Sequence, residues 1–202
     1  MREPLADIAA TALRLGRPTT SGPVDVADVW INGDIGFVLL LHRRHDGLPA
    51  EELYYSLRAE DGTWERPDHL SGGLIGLEVS DRSAVAEALA GAPMAVVTES
   101  ESLVHTGRGR SGDRDEEEDE GELVHFWELL VTEEADLLEI EHMPQDHPAQ
   151  TPPPSLRREV TGRPLMLVAL LPGERVRVHA MRREGTSLIR LDGALDLHSP
   201  GE

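Results

Sequence analysis

Three dipeptides constrain the first half of this chain: Asn32-Gly33, Asp46-Gly47 and Asp61-Gly62. Each separates runs in which apolar and polar residues alternate. Asx-Gly is the pair that tight hairpins favour, because the central turn residues need positive φ. VADVWI (26–31) leads into the first pair and IGFVLLLHR (35–43) leaves it; ELYYSLRA (52–59) follows the second, and TWER (63–66) follows the third and stops at Pro67. Turns so closely spaced between alternating runs predict an antiparallel meander. The middle of IGFVLLLHR is apolar at consecutive positions, which places it as a central strand covered on both faces.

The same reading extends along the chain. EPLADIAATALRL (3–15) has Leu5, Ile8, Ala9, Ala12 and Leu13 at helical spacing and is ended by Gly16 and Pro18. The spacer RPTTSGP follows it. SGGLIGLEV (71–79) reads as a glycine-rich bend running into a short extended piece, and DRSAVAEALAG (81–91) as a helix capped by Ser80 or Asp81 and stopped at Gly91. MAVVTESESLVHT (94–106), ELVHFWELLVT (122–132) and LLEIEHM (137–143) return to strand. After MPQDHPAQTPPPS (143–155), with five prolines, come LRREVT, PLMLVALL, ERVRVHAMRR, TSLIRL and ALDLH, with turns expected at Glu184-Gly185 and Asp192-Gly193. In ERVRVHAMRR, Val176, Val178 and Ala180 fall on one face and Arg175, Arg177, His179 and Met181 on the other.

The expected fold is therefore mainly β: an antiparallel β-sandwich or strongly bent sheet of roughly ten strands, with one N-terminal helix and one short internal helix. The expected organisation is a helix over 1–18 and a β body over 24–143, with its helix at 81–90 and an acidic loop at 107–122. A Pro-rich connection (144–155) then leads to strands over 156–198. At ~50 residues that last piece is marginal as an independent core, so it is expected to complete the same body.

Composition removes whole classes of chemistry. The 19 cations are all arginine, and there is no cysteine. Such usage fits a GC-rich bacterial genome. A phosphate-loop lysine, a Schiff base, a thiol nucleophile, a disulfide and a cysteine-ligated metal are all excluded. With 38 carboxylates the formal net charge is −19. That field disfavours nucleic acid and anionic membranes and attracts basic proteins. Acidity reads as a property of the whole chain. Asp7 interrupts any signal-peptide core, and the longest apolar run, Pro164 to Pro172, is too short to span a bilayer. The expectation is a cytoplasmic protein.

Four constellations compete for function. The first is RGRSGDRDEEEDEGELVHF (108–126), whose carboxylates Asp113, Asp115, Glu116, Glu117, Glu118, Asp119, Glu120 and Glu122 stand between two strands. The run lacks the glycine and the flanking helices of a calcium loop. It reads either as a solvated loop at a strand tip or as a docking site for a basic protein partner. The second is HRRHDG, where His42, His45 and Asp46 enter a turn and His69 lies nearby in sequence. Residues three apart on a strand point to opposite faces, so His42 and His45 converge only if the turn bends them together. The third is His142, Asp146 and His147 in the Pro-rich stretch. The fourth gathers Tyr54, Tyr55, Trp64, Arg66, Asp68 and His69, with Trp64 and one tyrosine expected in the core.

No G-x-S-x-G occurs, and no G-x-G-x-x-G follows a strand and opens a helix. No catalytic residue and no cofactor is assigned. The sequence points to a non-catalytic, regulatory interaction module with an acidic surface. The alternative is a small-ligand or metal-dependent protein, a hydrolase among the options, using the meander histidines.

Overall fold

The computed structural model describes residues 4–106, 121–143, 155–160 and 163–201. Two helices and twelve strands, β1–β12, make three antiparallel sheets among these residues, so the fold is mainly β as the turn pattern requires. The chain divides into two compact units, Met1–Leu77 with Glu101–Val124, and Glu78–Ser100 with His125–Glu202.

The first unit is the meander. Helix α1 (Leu5–Leu15) precedes β1 (Thr20–Ser21), β2 (Val24–Asn32), β3 (Ile35–Arg43), β4 (Pro49–Leu57) and β5 (Asp68–Leu74). The strands lie side by side in chain order. Helix α1 buries Ile8, Ala9, Ala12 and Leu13 against Val24, Val26, Val29, Val38, Leu40 and Tyr54. Full burial of Ile8 and Leu13 contributes about 1.5–3 kcal/mol apiece. Gly16 ends the helix at φ 61°. Gly36 lets it dock: a Cβ there would lie 2.5 Å from Leu13 Cδ2 and 3.0 Å from Trp64 Cη2. Every residue from Ile35 to Leu40 is buried, so β3 is covered on both faces, as its unbroken apolar run demands.

Two local expectations change here. TWER forms no strand; only an isolated bridge joins Trp64 to Arg58, whose guanidinium sits 4.5 Å over the Trp64 ring. The glycines at 72 and 73 lie within β5 rather than in a bend. β5 is an edge strand, where missing side chains leave no hole in a core.

The second unit holds α2 (Arg82–Leu89), β8 (Leu137–His142), β9 (Ser155–Glu159), β10 (Leu165–Leu170), β11 (Arg175–Glu184) and β12 (Ser187–His198). The long strands β6 (Met94–Val104) and β7 (Glu122–Val131) contribute residues to both units. The sheet orders are β10-β7-β6 and β12-β11-β8-β9, so the C-terminal strands pair with β7 and β8. The Asp81 carboxylate caps α2 by accepting the N–H groups of Ser83 and Ala84. In β11, Val176, Val178 and Ala180 are buried, while Arg175, Arg177 and His179 take the opposite, wetter face. The edges of the two sheets approach one another twice. Arg158 Nη1 on β9 donates to the Leu167 carbonyl of β10 at 2.7 Å, and Gly193 on β12 lies beside Pro93, just before β6.

Asp192-Gly193 is not a turn. β12 runs unbroken past it, and the register slips between His179 and Met181 because extra β12 residues bulge out. Gly193 takes φ 105° there. A bulge needs the same permissive glycine that a hairpin does, which is why the sequence pattern looks alike.

Candidate functional site

The expected site residues belong to four constellations. Of the acid run, Asp113, Asp115, Glu116, Glu117, Glu118, Asp119 and Glu120 lie outside the described residues. Glu122 opens β7, and the Thr106 hydroxyl donates to its carboxylate. β6 and β7 are hydrogen-bonded neighbours, so the run connects adjacent strands and its two flanks are tied together at Thr106 and Glu122. β6 exposes Glu99, Glu101 and Leu103 at every second position.

The meander histidines separate. His45 is exposed in the β3–β4 turn. Asp46 serves that turn: its Oδ1 accepts the Leu48 N–H at 3.2 Å, and Arg44 pairs with it at 3.3 Å. His42 and His69 instead meet on one carboxylate that sequence reasoning did not single out. His42 Nε2 lies 3.3 Å from Glu52 Oε1, and His69 Nε2 lies 2.6 Å from Glu52 Oε2. The register explains the meeting. Leu40 pairs with Glu52 and His42 with Ala50, so His42 stands diagonally beside Glu52 on the α1 face. Glu52 pairs with Gly72, and a bulge between Leu53 and Tyr54 then sets His69 opposite Tyr54. The Glu52 carboxylate occupies the space a side chain at 72 would need: a Cβ there would lie 2.2 Å from Oε2.

Tyr54 closes the row, its ring 5.2 Å from the His69 ring and edge-on. Burial, and then the Glu52 charge, push its hydroxyl pKa up. Of the expected aromatic cluster, Tyr54 and Trp64 pack with the core, while Arg66 and Asp68 are exposed. An ionised carboxylate only accepts hydrogen bonds, so both Nε2 atoms carry the proton in this arrangement. The row can hydrogen-bond a ligand or pass a proton. Among the described residues, no group of three or more His, Asp or Glu is placed to hold a metal ion. His142 ends β8 opposite Val176, and Asp146 and His147 lie outside the described residues.

A second polar array lies on the solvent face of the β12-β11-β8-β9 sheet, and sequence reading missed it. Glu139, with a side chain only 7% exposed, accepts from Arg157 Nη2 and from Arg190 Nη2, each at 2.8 Å. Arg190 also pairs with Glu141, and Arg177 with Asp196. Burial pulls the Glu139 pKa upward; the hydrogen bonds from Arg157 and Arg190 outweigh it and hold the carboxyl below its usual range. A signal was present in the composition. Residues 155–202 carry eight arginines against six carboxylates, whereas residues 1–154 carry eleven against thirty-two. The acidity is thus not evenly spread.

No family model, curated protein or solved structure significantly matches this chain. Among the described residues, no helix is long and apolar enough to cross a membrane.

Proposed function

We propose that this chain is a non-catalytic intracellular interaction module that recruits a basic protein partner through its acidic segment. The observation that carries the reading is the position of the acid run. Seven carboxylates fall between residues 113 and 120, in the connection between two neighbouring strands whose ends are fastened by Thr106 and Glu122, itself the eighth. On β6, which leads into the run, Glu99 and Glu101 are also exposed. Complementary charge of this kind raises the association rate and selects the partner more than it adds affinity.

The test is affinity capture from host lysate with the whole chain and with a version in which residues 108–120 are replaced by a short Gly-Ser linker, at low and moderate salt. A basic protein retained at low salt and lost with the replacement supports the reading. Identical captures by both versions, or captures indifferent to salt, overturn it.

The His42–Glu52–His69 row favours a second reading, a small-ligand site on the meander. Imidazole resonances of His42 and His69 that move together on addition of a ligand, and stay still in Glu52→Ala, would support it.

A further inference from the structure

We infer that the groove between β9 and the β11–β12 turn is a binding site for a small oxyanion ligand, a carboxylate or a phosphate ester. The groove encloses about 490 Å³ and is lined by Arg157, Arg158, Arg183, Thr186 and Ser187, with Leu137 as an apolar wall. Ligand pockets occupy roughly 300–1,000 Å³, so a metabolite-sized molecule fits. Two guanidinium groups, those of Arg157 and Arg183, stand there against one lining carboxylate, Glu159, while Arg158 turns its Nη1 to the Leu167 carbonyl. They belong to residues 155–202, where eight arginines stand against six carboxylates.

Two of the forks are held in place yet remain open to solvent. Arg157 directs Nε and Nη2 to one oxygen of Glu139, at 3.1 and 2.8 Å, while its side chain is 58% exposed. Glu139 is buried and held in turn by Arg190, so it anchors Arg157 without filling the groove. Such pre-ordering lowers the cost of binding, because little side-chain freedom remains to be lost. Arg183 Nη2 rests on Glu159 Oε1 at 2.7 Å, with both side chains more than half exposed. A pair that exposed is weak. An incoming dianion replaces Glu159 on Arg183 and gains the planar, two-pronged contact that guanidinium offers to carboxylate and phosphate. The Thr186 and Ser187 hydroxyls supply neutral donors beside it.

The net charge of −19 does not cancel this local field. At physiological salt, charges more than about 8 Å away are largely screened, so a small ion in the groove meets chiefly Arg157 and Arg183, with Glu159 as the carboxylate it must displace. A long polyanion must also approach the rest of the acidic surface, which makes the groove selective for small anions over nucleic acid.

The experiment is an NMR titration of the isotope-labelled chain with inorganic phosphate and, separately, with succinate, at ionic strength held constant by sodium chloride. The expected result is saturable shifts of the Arg157 and Arg183 side-chain N–H and the Thr186 and Ser187 amide resonances. Whichever anion saturates at lower concentration names the ligand class. Arg157→Gln and Arg183→Gln are each expected to weaken binding about tenfold or more, and Arg175→Gln, outside the groove, to leave it unchanged. Shifts that grow linearly without saturating, or that weaken equally in all three variants, overturn the assignment. The native amide spectrum of each variant confirms that it is folded.

Discussion

Arg190 on β12 reaches past β11 to hold Glu139 on β8, with Nη2 2.8 Å from Oε2. Arg157 holds the same carboxylate from β9, so one buried side chain ties together strands from both edges of the sheet. The folded pKa of Glu139 is lowered. Its stabilising contribution is therefore fully present above the ordinary glutamate value of about 4.3 and is lost as pH falls through the lower native value. Glu139→Gln is expected to flatten the acid limb of stability and, at neutral pH, to destabilise by on the order of 2 kcal/mol, the scale of a charge-assisted hydrogen bond. Urea denaturation across the acid range measures both effects.

The Arg177–Asp196 pair is the control for that argument. It is short, 2.6 Å, but both side chains are well exposed. Solvent and salt screen such a pair, so Arg177→Gln is expected to leave the urea midpoint nearly unchanged. A larger loss in the same urea assay would show that the face acts as one cooperative network.

Helix α2 ends on Ala90 at φ 48°, a left-handed conformation in which a Cβ crowds the following carbonyl. Glycine removes that conflict at a helix C-terminus. Ala90→Gly is expected to stabilise by about 1 kcal/mol, less the extra unfolded-chain entropy that glycine brings. A thermal melt that rises checks it; an unchanged or lower melting point contradicts it.

Gly36→Ala tests how α1 docks. The added methyl would press on Leu13 and Trp64 together. Overpacking of this kind costs about 1–3 kcal/mol. The expected signature is lower stability with faster amide exchange in residues 5–15 and unperturbed exchange in β11.

Glu52 contributes to the upward shift of Tyr54, after burial. In a Tyr55→Phe background, which leaves one tyrosine, Glu52→Gln is expected to move the ultraviolet titration of Tyr54 downward but not back to the free value, because burial remains. An unmoved titration would mean that the two groups do not meet as described.

Much of the fold is visible in the sequence because backbone requirements are local. Asn32-Gly33 and Asp46-Gly47 need turns whatever surrounds them, and the unbroken apolar run of β3 needs cover on two sides. The misreadings have one cause: a local pattern that serves two structures. Gly193 suits a turn and a bulge equally, and TWER has strand-like residues with a single bridge to pair through. The His42–Glu52–His69 row was half legible. The histidines attracted notice, whereas a glutamate alternating along a strand reads as solvent-facing, and nothing local sets it opposite Gly72. The Glu139 array was hidden further, since its partners Arg157 and Arg190 come from strands far apart in the chain.

The extra residue in β5 between Ser71 and His69 has a consequence for how such a chain acquires chemistry. In an unbulged ladder Leu70 would stand opposite Tyr54, and the corner would be greasy. One inserted residue turns it into an imidazole–carboxylate row. Because β5 is the last strand of its sheet, the insertion disturbs no strand beyond it. A sheet margin is thus a place where single insertions and deletions can rewrite a surface while the interior keeps its packing.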